Sequence, residues 1–150
     1  MIIKKTITII LHFAIANTLI IIVYSIYPYY YHWAIGLFCY LIINLIFYRV
    51  IPNKHIKGLI NLAKADYKTA LKDFEKSHLF FSKHNFFDRY GFIFLLKMSR
   101  YSYREAALLN MAFINYKIGN IEEALKLYEK VLSINSENRI AKKGIKIVEL

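Results

Sequence analysis

The sequence predicts an all-α protein in two parts: two transmembrane helices, then a short antiparallel helical array with an inserted aromatic helix and a C-terminal capping helix. Three observations predict it. Residues 1–50 carry only Lys4, Lys5 and Arg49 as charges, while all 10 acidic and the other 18 of the 21 basic residues lie beyond. Two uncharged apolar runs, 7–24 and 33–48, stand before that boundary. After it, GNIEEALKLYEKVL (119–132) has a near-copy in ADYKTALKDFEKS (65–77).

The first run is ITIILHFAIANTLIIIVY and the second WAIGLFCYLIINLIFY. With their flanks they give spans of about 6–25 and 32–51, close to the roughly 20 residues that cross about 30 Å of hydrocarbon. Lys4 and Lys5 before an apolar core, with Ala14-Ile15-Ala16 behind, also fit a cleaved leader. Hydrophobicity that continues past Ala16, with a second run following at once, favours a retained helix. SIYPYYYHW (25–33) is uncharged and carries Pro28 and five aromatic rings, which suits a turn at a membrane–water interface. Lys4 and Lys5 flank one end of this hairpin and Arg49, Lys54 and Lys57 the other. The positive-inside rule then places both termini in the cytoplasm of a bacterial-type membrane.

His12 and Asn44 each lie 16 residues from Pro28, so folding there brings these intramembrane polar residues to similar depth. Either they pair with each other, or each faces headgroups or another subunit, which leaves a homo-oligomer open. Cys39, the sole cysteine, excludes an intramolecular disulfide and a cysteine metal cluster.

Residues 52–150 read as a cytoplasmic helical domain. The stretch 53–65 is amphipathic through Ile56, Leu59, Ile60 and Ala63, and Asp66 can cap a helix from Tyr67 to about residue 81. Ser102 and Glu105 have capping-box spacing, which starts a helix at Tyr103 that stops at Gly119. Asn120 caps the next helix, with Glu122 and Glu123 favouring its dipole, and Ser136 starts the last. The helix after Tyr103 is apolar on two sides, Leu108, Met111, Ala112 and Asn115 on one and Leu109, Phe113 and Tyr116 on the other. Such a helix is sandwiched between neighbours or keeps one side for a ligand.

Gly119, Ile121, Ala124 and Tyr128, with Leu108, Met111 and Ala112 ahead of them, resemble the signature of the tetratricopeptide repeat, a helix–turn–helix unit of about 34 residues. Upstream, Gly58, Tyr67, Ala70 and Phe74 match, but Lys54 and Lys57 stand where apolar residues are usual. The resemblance covers 51–84 and 105–138 and leaves a cap at 139–150. The copies are 54 residues apart, so about 20 residues, 85–104, are inserted between them. The apolar part of the insert, 86–98, is too short to span a bilayer; it can pack in the core, lie on the membrane or close over the groove.

The resemblance implies an adaptor: first helices line a concave face that holds another protein. Its groove residues here are Leu109, Asn110, Phe113, Tyr116 and Lys117, joined by His55, Leu59 and Leu62. Asn110 and Lys117 are too few to grip a chain-end carboxylate, so a helical or extended apolar segment is the expected ligand. The basic residues Lys54, Lys57, Lys68, Lys72 and Lys76 form either a solvated face or a surface for anionic headgroups. No histidine ligand spacing, paired catalytic carboxylates or phosphate loop appears, so neither an enzyme nor a cofactor is expected. An anchored chain without a recognition motif also speaks against nucleic acid. The chief alternative is a small membrane effector, an immunity or pore component, whose working part is the hairpin.

Overall fold

The computed structural model describes residues 2–89 and 101–149, which contain eight α-helices and no strand. The chain divides at Ile51 and Pro52 into two compact units.

The first unit is a hairpin of α1 (Ile2–Ile26) and α2 (His32–Val50). The two run antiparallel. His12 Nδ1 lies 2.6 Å from the Tyr40 hydroxyl, and the rings of Tyr24 and His32 are 4.9 Å apart. Between these contacts, a Cβ on Gly36 would stand 2.7 Å from the Ile20 Cα, so only glycine permits this approach. Asn17, Thr18 and Ser25 donate back to the carbonyls of Phe13, Ala14 and Ile21, which satisfies polar side chains without an outside partner. Thr8 and His12 are buried between the helices, while Ile9, Ile10, Phe13, Ile21, Leu41 and Leu45 face outward.

Two expectations concern this hairpin. Among the described residues one helix, Thr6–Ile26, is long and apolar enough to cross a membrane. The expected second span contains a shorter apolar helix, His32–Phe47, within the described residues of α2. His12 lies against Tyr40, one turn before Asn44, and Asn44 donates to the Tyr40 carbonyl at 2.9 Å.

The second unit contains α3 (Asn53–Ala63), α4 (Tyr67–Lys83), the short α5 (Asn85–Arg89), α6 (Tyr103–Lys117), α7 (Ile121–Ile134) and α8 (Arg139–Val148). Successive long helices pack on one another. The capping box at Ser102 is formed in both directions, with Glu105 N donating to Ser102 Oγ and Ser102 N to Glu105 Oε2. Asp66 accepts from Thr69 N at 3.1 Å. Asn138, not Ser136, starts α8: its Oδ1 accepts from Ile140 N and Ala141 N. The Asn120 side chain makes no cap bond, since its amide is turned back to Asn115 Oδ1. Of the expected insert, 85–104, residues 85–89 form α5 and 101–104 lead into and begin α6, while 90–100, with most of its apolar part, lie outside the described residues.

The sandwiched alternative describes α6. Ala107 and Ile114 pack with Ala70 and Phe74 of α4. Leu108, Leu109 and Ala112 pack with Leu127, Tyr128 and Val131 of α7 and Ala141 of α8. Met111 adjoins both clusters. The fully buried Ala70 and Ala124 provide the close helix approach for which small residues are needed.

Candidate protein-binding surface

The α3–α4 and α6–α7 units are built on one turn used twice. Five backbone bonds recur 54 residues apart. Lys64 N→Ile60 O, Ala65 N→Leu62 O, Asp66 N→Asn61 O, Tyr67 N→Ala65 O and Ala70 N→Asp66 O match Ile118 N→Ile114 O, Gly119 N→Tyr116 O, Asn120 N→Asn115 O, Ile121 N→Gly119 O and Ala124 N→Asn120 O. Ala65 and Gly119 both take left-handed backbone angles, φ 58° and 84°. Equal turns give the first helices of the two copies equivalent faces.

On those faces the expected groove residues fall into equivalent pairs. His55 and Leu109 are both interior, at 6% and 8% exposure, so neither is open to a partner. His55 Nδ1 lies 3.3 Å from Ser77 Oγ, and its ring sits edge-on to Phe74 and Tyr103. Leu109 is used by the α7–α8 core. Leu59 and Phe113 are both open, at 44% and 40%. Leu62 and Tyr116 are both half-buried. Lys117 Nζ stands 5.6 Å over the Phe113 ring, and Asn110 donates to the Ala106 carbonyl. The open face is therefore narrower than the sequence implied: Leu59, Phe113 and Lys117, edged by Asn110, Leu62 and Tyr116.

Two buried carboxylates brace this face, and periodicity alone does not reveal them. Glu105 Oε1 accepts from Asn135 Nδ2 at 2.6 Å and Asn138 Nδ2 at 3.3 Å, which ties the start of α6 to the α7–α8 turn. Asp88 Oδ1 accepts from Tyr103 N at 2.7 Å and Arg104 N at 3.3 Å, a second anion at the α6 N-terminus. The Ser-x-x-Glu spacing was the only sequence signal for this arrangement, and it disclosed only one oxygen of Glu105.

Among the lysines singled out, Lys54 lies 3.9 Å from Asp73, whereas Lys57, Lys68, Lys72 and Lys76 are exposed and form no ion pair among the described residues. Bonds from Thr69 hold the Asp66 carboxyl below its ordinary range. Burial, reinforced by the Lys130 charge, lowers the His78 imidazole, and burial raises the Tyr128 phenol. No group of three or more metal-ligating side chains occurs among the described residues.

The model of the tetratricopeptide repeat family matches residues 105–138, the segment of α6 and α7. No curated protein and no solved structure matches the chain. Residues 105–138 are thus similar to a tetratricopeptide repeat, a unit that typically serves protein–protein interaction, and the same turn recurs 54 residues upstream in an all-helical fold.

Proposed function

We propose that the protein is a non-catalytic adaptor that holds a protein partner on α3 and α6 and is anchored in a membrane by the α1–α2 hairpin. The observation that carries the binding half is the repeated opening at Leu59 and Phe113, equivalent positions that the core leaves uncovered in both copies. An aromatic and an aliphatic side chain in register, with Lys117 over the ring, suit a helical or extended apolar segment of the partner that carries an acidic or carbonyl group.

The anchoring half is supported by polarity that is reversed from that of a water-soluble helix pair. Thr8 and His12 are inside, and the branched and aromatic side chains are outside. Because α2 lies antiparallel along α1 with His12 against Tyr40, a membrane that takes α1 takes α2 to the same depth. Both termini then lie on the basic, cytoplasmic side, and the aromatic turn at 27–31 lies on the other.

Crosslinking from native membranes tests the reading. A photoreactive residue at Phe113 should capture a defined protein, and Leu59→Ala with Phe113→Ala should weaken capture about tenfold or more. The same change at exposed Ile147 should have no effect. Full retention of the partner by a folded Leu59→Ala, Phe113→Ala variant would show that this face is not the binding surface.

A further inference from the structure

The outer face of α4 differs from its counterpart on α7 in a way the adaptor role does not use. Lys68, Leu79, Lys72, Lys83 and Lys76 fall within an arc of about 80° at roughly 100° per residue. All four lysines are exposed, and Leu79, in their midst, is 60% exposed. The corresponding residues 54 positions on are Glu122, Ser133, Lys126, Glu137 and Lys130. Four positive charges and a leucine thus correspond to two lysines, two glutamates and a serine, Glu137 lying just past the end of α7: net +4 against 0. On α7 the charges are matched locally, with Lys126 Nζ 2.7 Å from Glu122 Oε1.

The carboxylates near α4 offset its stripe only in part, because three of the four between Pro52 and Arg89 are engaged by the fold. Asp66 caps α4, Asp73 accepts from Asn61 and pairs with Lys54, and Asp88 caps α6. Asp66 is exposed beside Lys68 at one end of the stripe, and Glu75 is exposed at the edge of the arc. Among the described residues none of the four lysines forms an ion pair.

We infer that this stripe is a docking face for anionic lipid headgroups, with the lysines on phosphate oxygens and Leu79 entering the interfacial layer. The inference rests on the membrane anchor proposed above: Ile51 and Pro52 alone join α2 to α3, so the tether is short. A leucine within the basic arc favours a membrane over a dissolved acidic polypeptide, since the interface rewards an apolar tip between cations. The surface would fix the adaptor on the anionic leaflet and leave α7, its neutral counterpart, free.

The test uses the full chain with Cys39→Ser and a single environment-sensitive dye at Leu79→Cys or, for comparison, Ser133→Cys. The chain is reconstituted into vesicles of phosphatidylcholine, alone or mixed with phosphatidylglycerol. The dye at 79 should shift to the blue and be quenched by brominated lipid only when phosphatidylglycerol is present. The dye at 133 should stay aqueous in both membranes. Salt should reverse the shift, and Lys72→Gln and Lys76→Gln should each lower the phosphatidylglycerol preference about fivefold. A dye at 79 that is equally aqueous in both membranes, or a shift unaffected by the lysine changes, overturns the proposal. So does shielding by dissolved polyglutamate but not by phosphatidylglycerol, which would identify an acidic protein partner. Flotation with neutral vesicles separates the two levels: a chain that fails to float refutes the anchor and this proposal with it, whereas one that floats but ignores phosphatidylglycerol refutes the lipid face alone.

Discussion

In the upstream copy, Lys54 and Asp73 face each other across α3 and α4; in the downstream copy, the same positions are Leu108 and Leu127 across α6 and α7. The backbone of the turn is the same in both, down to five paired hydrogen bonds. The aromatic after each turn also finds a different seat. A Cβ on Gly58 would come within 2.8 Å of the Phe74 ring, in its own copy, while one on Gly144 of α8 would come within 2.4 Å of Tyr128. This unit is therefore specified by its turn and its small residues, and the facing side chains follow burial. Leu108 is covered by α7 and α8 and is apolar, whereas Lys54 keeps its ammonium in water and needs only a carboxylate nearby.

The ends of the two copies differ most, and the largest effect is expected there. Phe81 is buried and its ring stacks on Tyr103 at 4.6 Å, joining the first copy to α6. Its equivalent is Asn135, which joins the second copy to α6 through Glu105. One seam is aromatic and the other a hydrogen bond to a carboxylate. Phe81→Ala should cost about 4 kcal/mol, because it removes a buried ring and leaves a cavity against Tyr103. The shift in denaturation midpoint measures it, and a loss below about 1 kcal/mol would mean that the aromatic seam does not join the copies.

The contrast also marks what the sequence discloses. Ala70, Ala124, Gly119, the Ser102 box and the near-copy itself were legible because each depends on local spacing. So was the pairing of Leu59 with Phe113, since equal turns carry the face with them. The burial of Leu109 and His55 was not legible, because it is decided by helices distant in the chain: α8 closes over Leu109, and Tyr103 comes to lie against His55. For the same reason Ala107 and Ile114, the α4-facing row of α6, were missing from both apolar stripes assigned to it.

An intermediate effect follows from converting one copy into the other. Lys54→Leu with Asp73→Leu gives the upstream copy the apolar pair of the downstream one. Asn61, which now donates to Asp73, should turn to the Lys57 carbonyl, as its equivalent Asn115 donates to the Met111 carbonyl. The double variant should be as stable as the parent or more stable by about 1 kcal/mol, since apolar replacement of a mostly buried carboxylate and its partner is often neutral or favourable. Asp73→Leu alone should be less stable than the double variant. If the double variant loses more than either single change, the two copies are not interchangeable at this position.

The smallest expected effect isolates the turn itself. Ala65 and Gly119 are equivalent, and both have positive φ, but only one is glycine. A left-handed alanine costs about 1–2 kcal/mol relative to a residue without Cβ. Glycine gives back part of that through the greater freedom of its unfolded chain, about 0.4–1 kcal/mol. Ala65→Gly should therefore stabilise the protein by about 0.5 kcal/mol, and Gly119→Ala should destabilise it by a similar amount. Packing does not obscure the second measurement, because a Cβ on Gly119 would have nothing within 4 Å. Opposite signs at the two sites would establish that the repeated turn is a backbone device with its own energetic preference. Equal signs would mean that the turns differ in more than the residue at their centre, and that five matching hydrogen bonds do not make them equivalent.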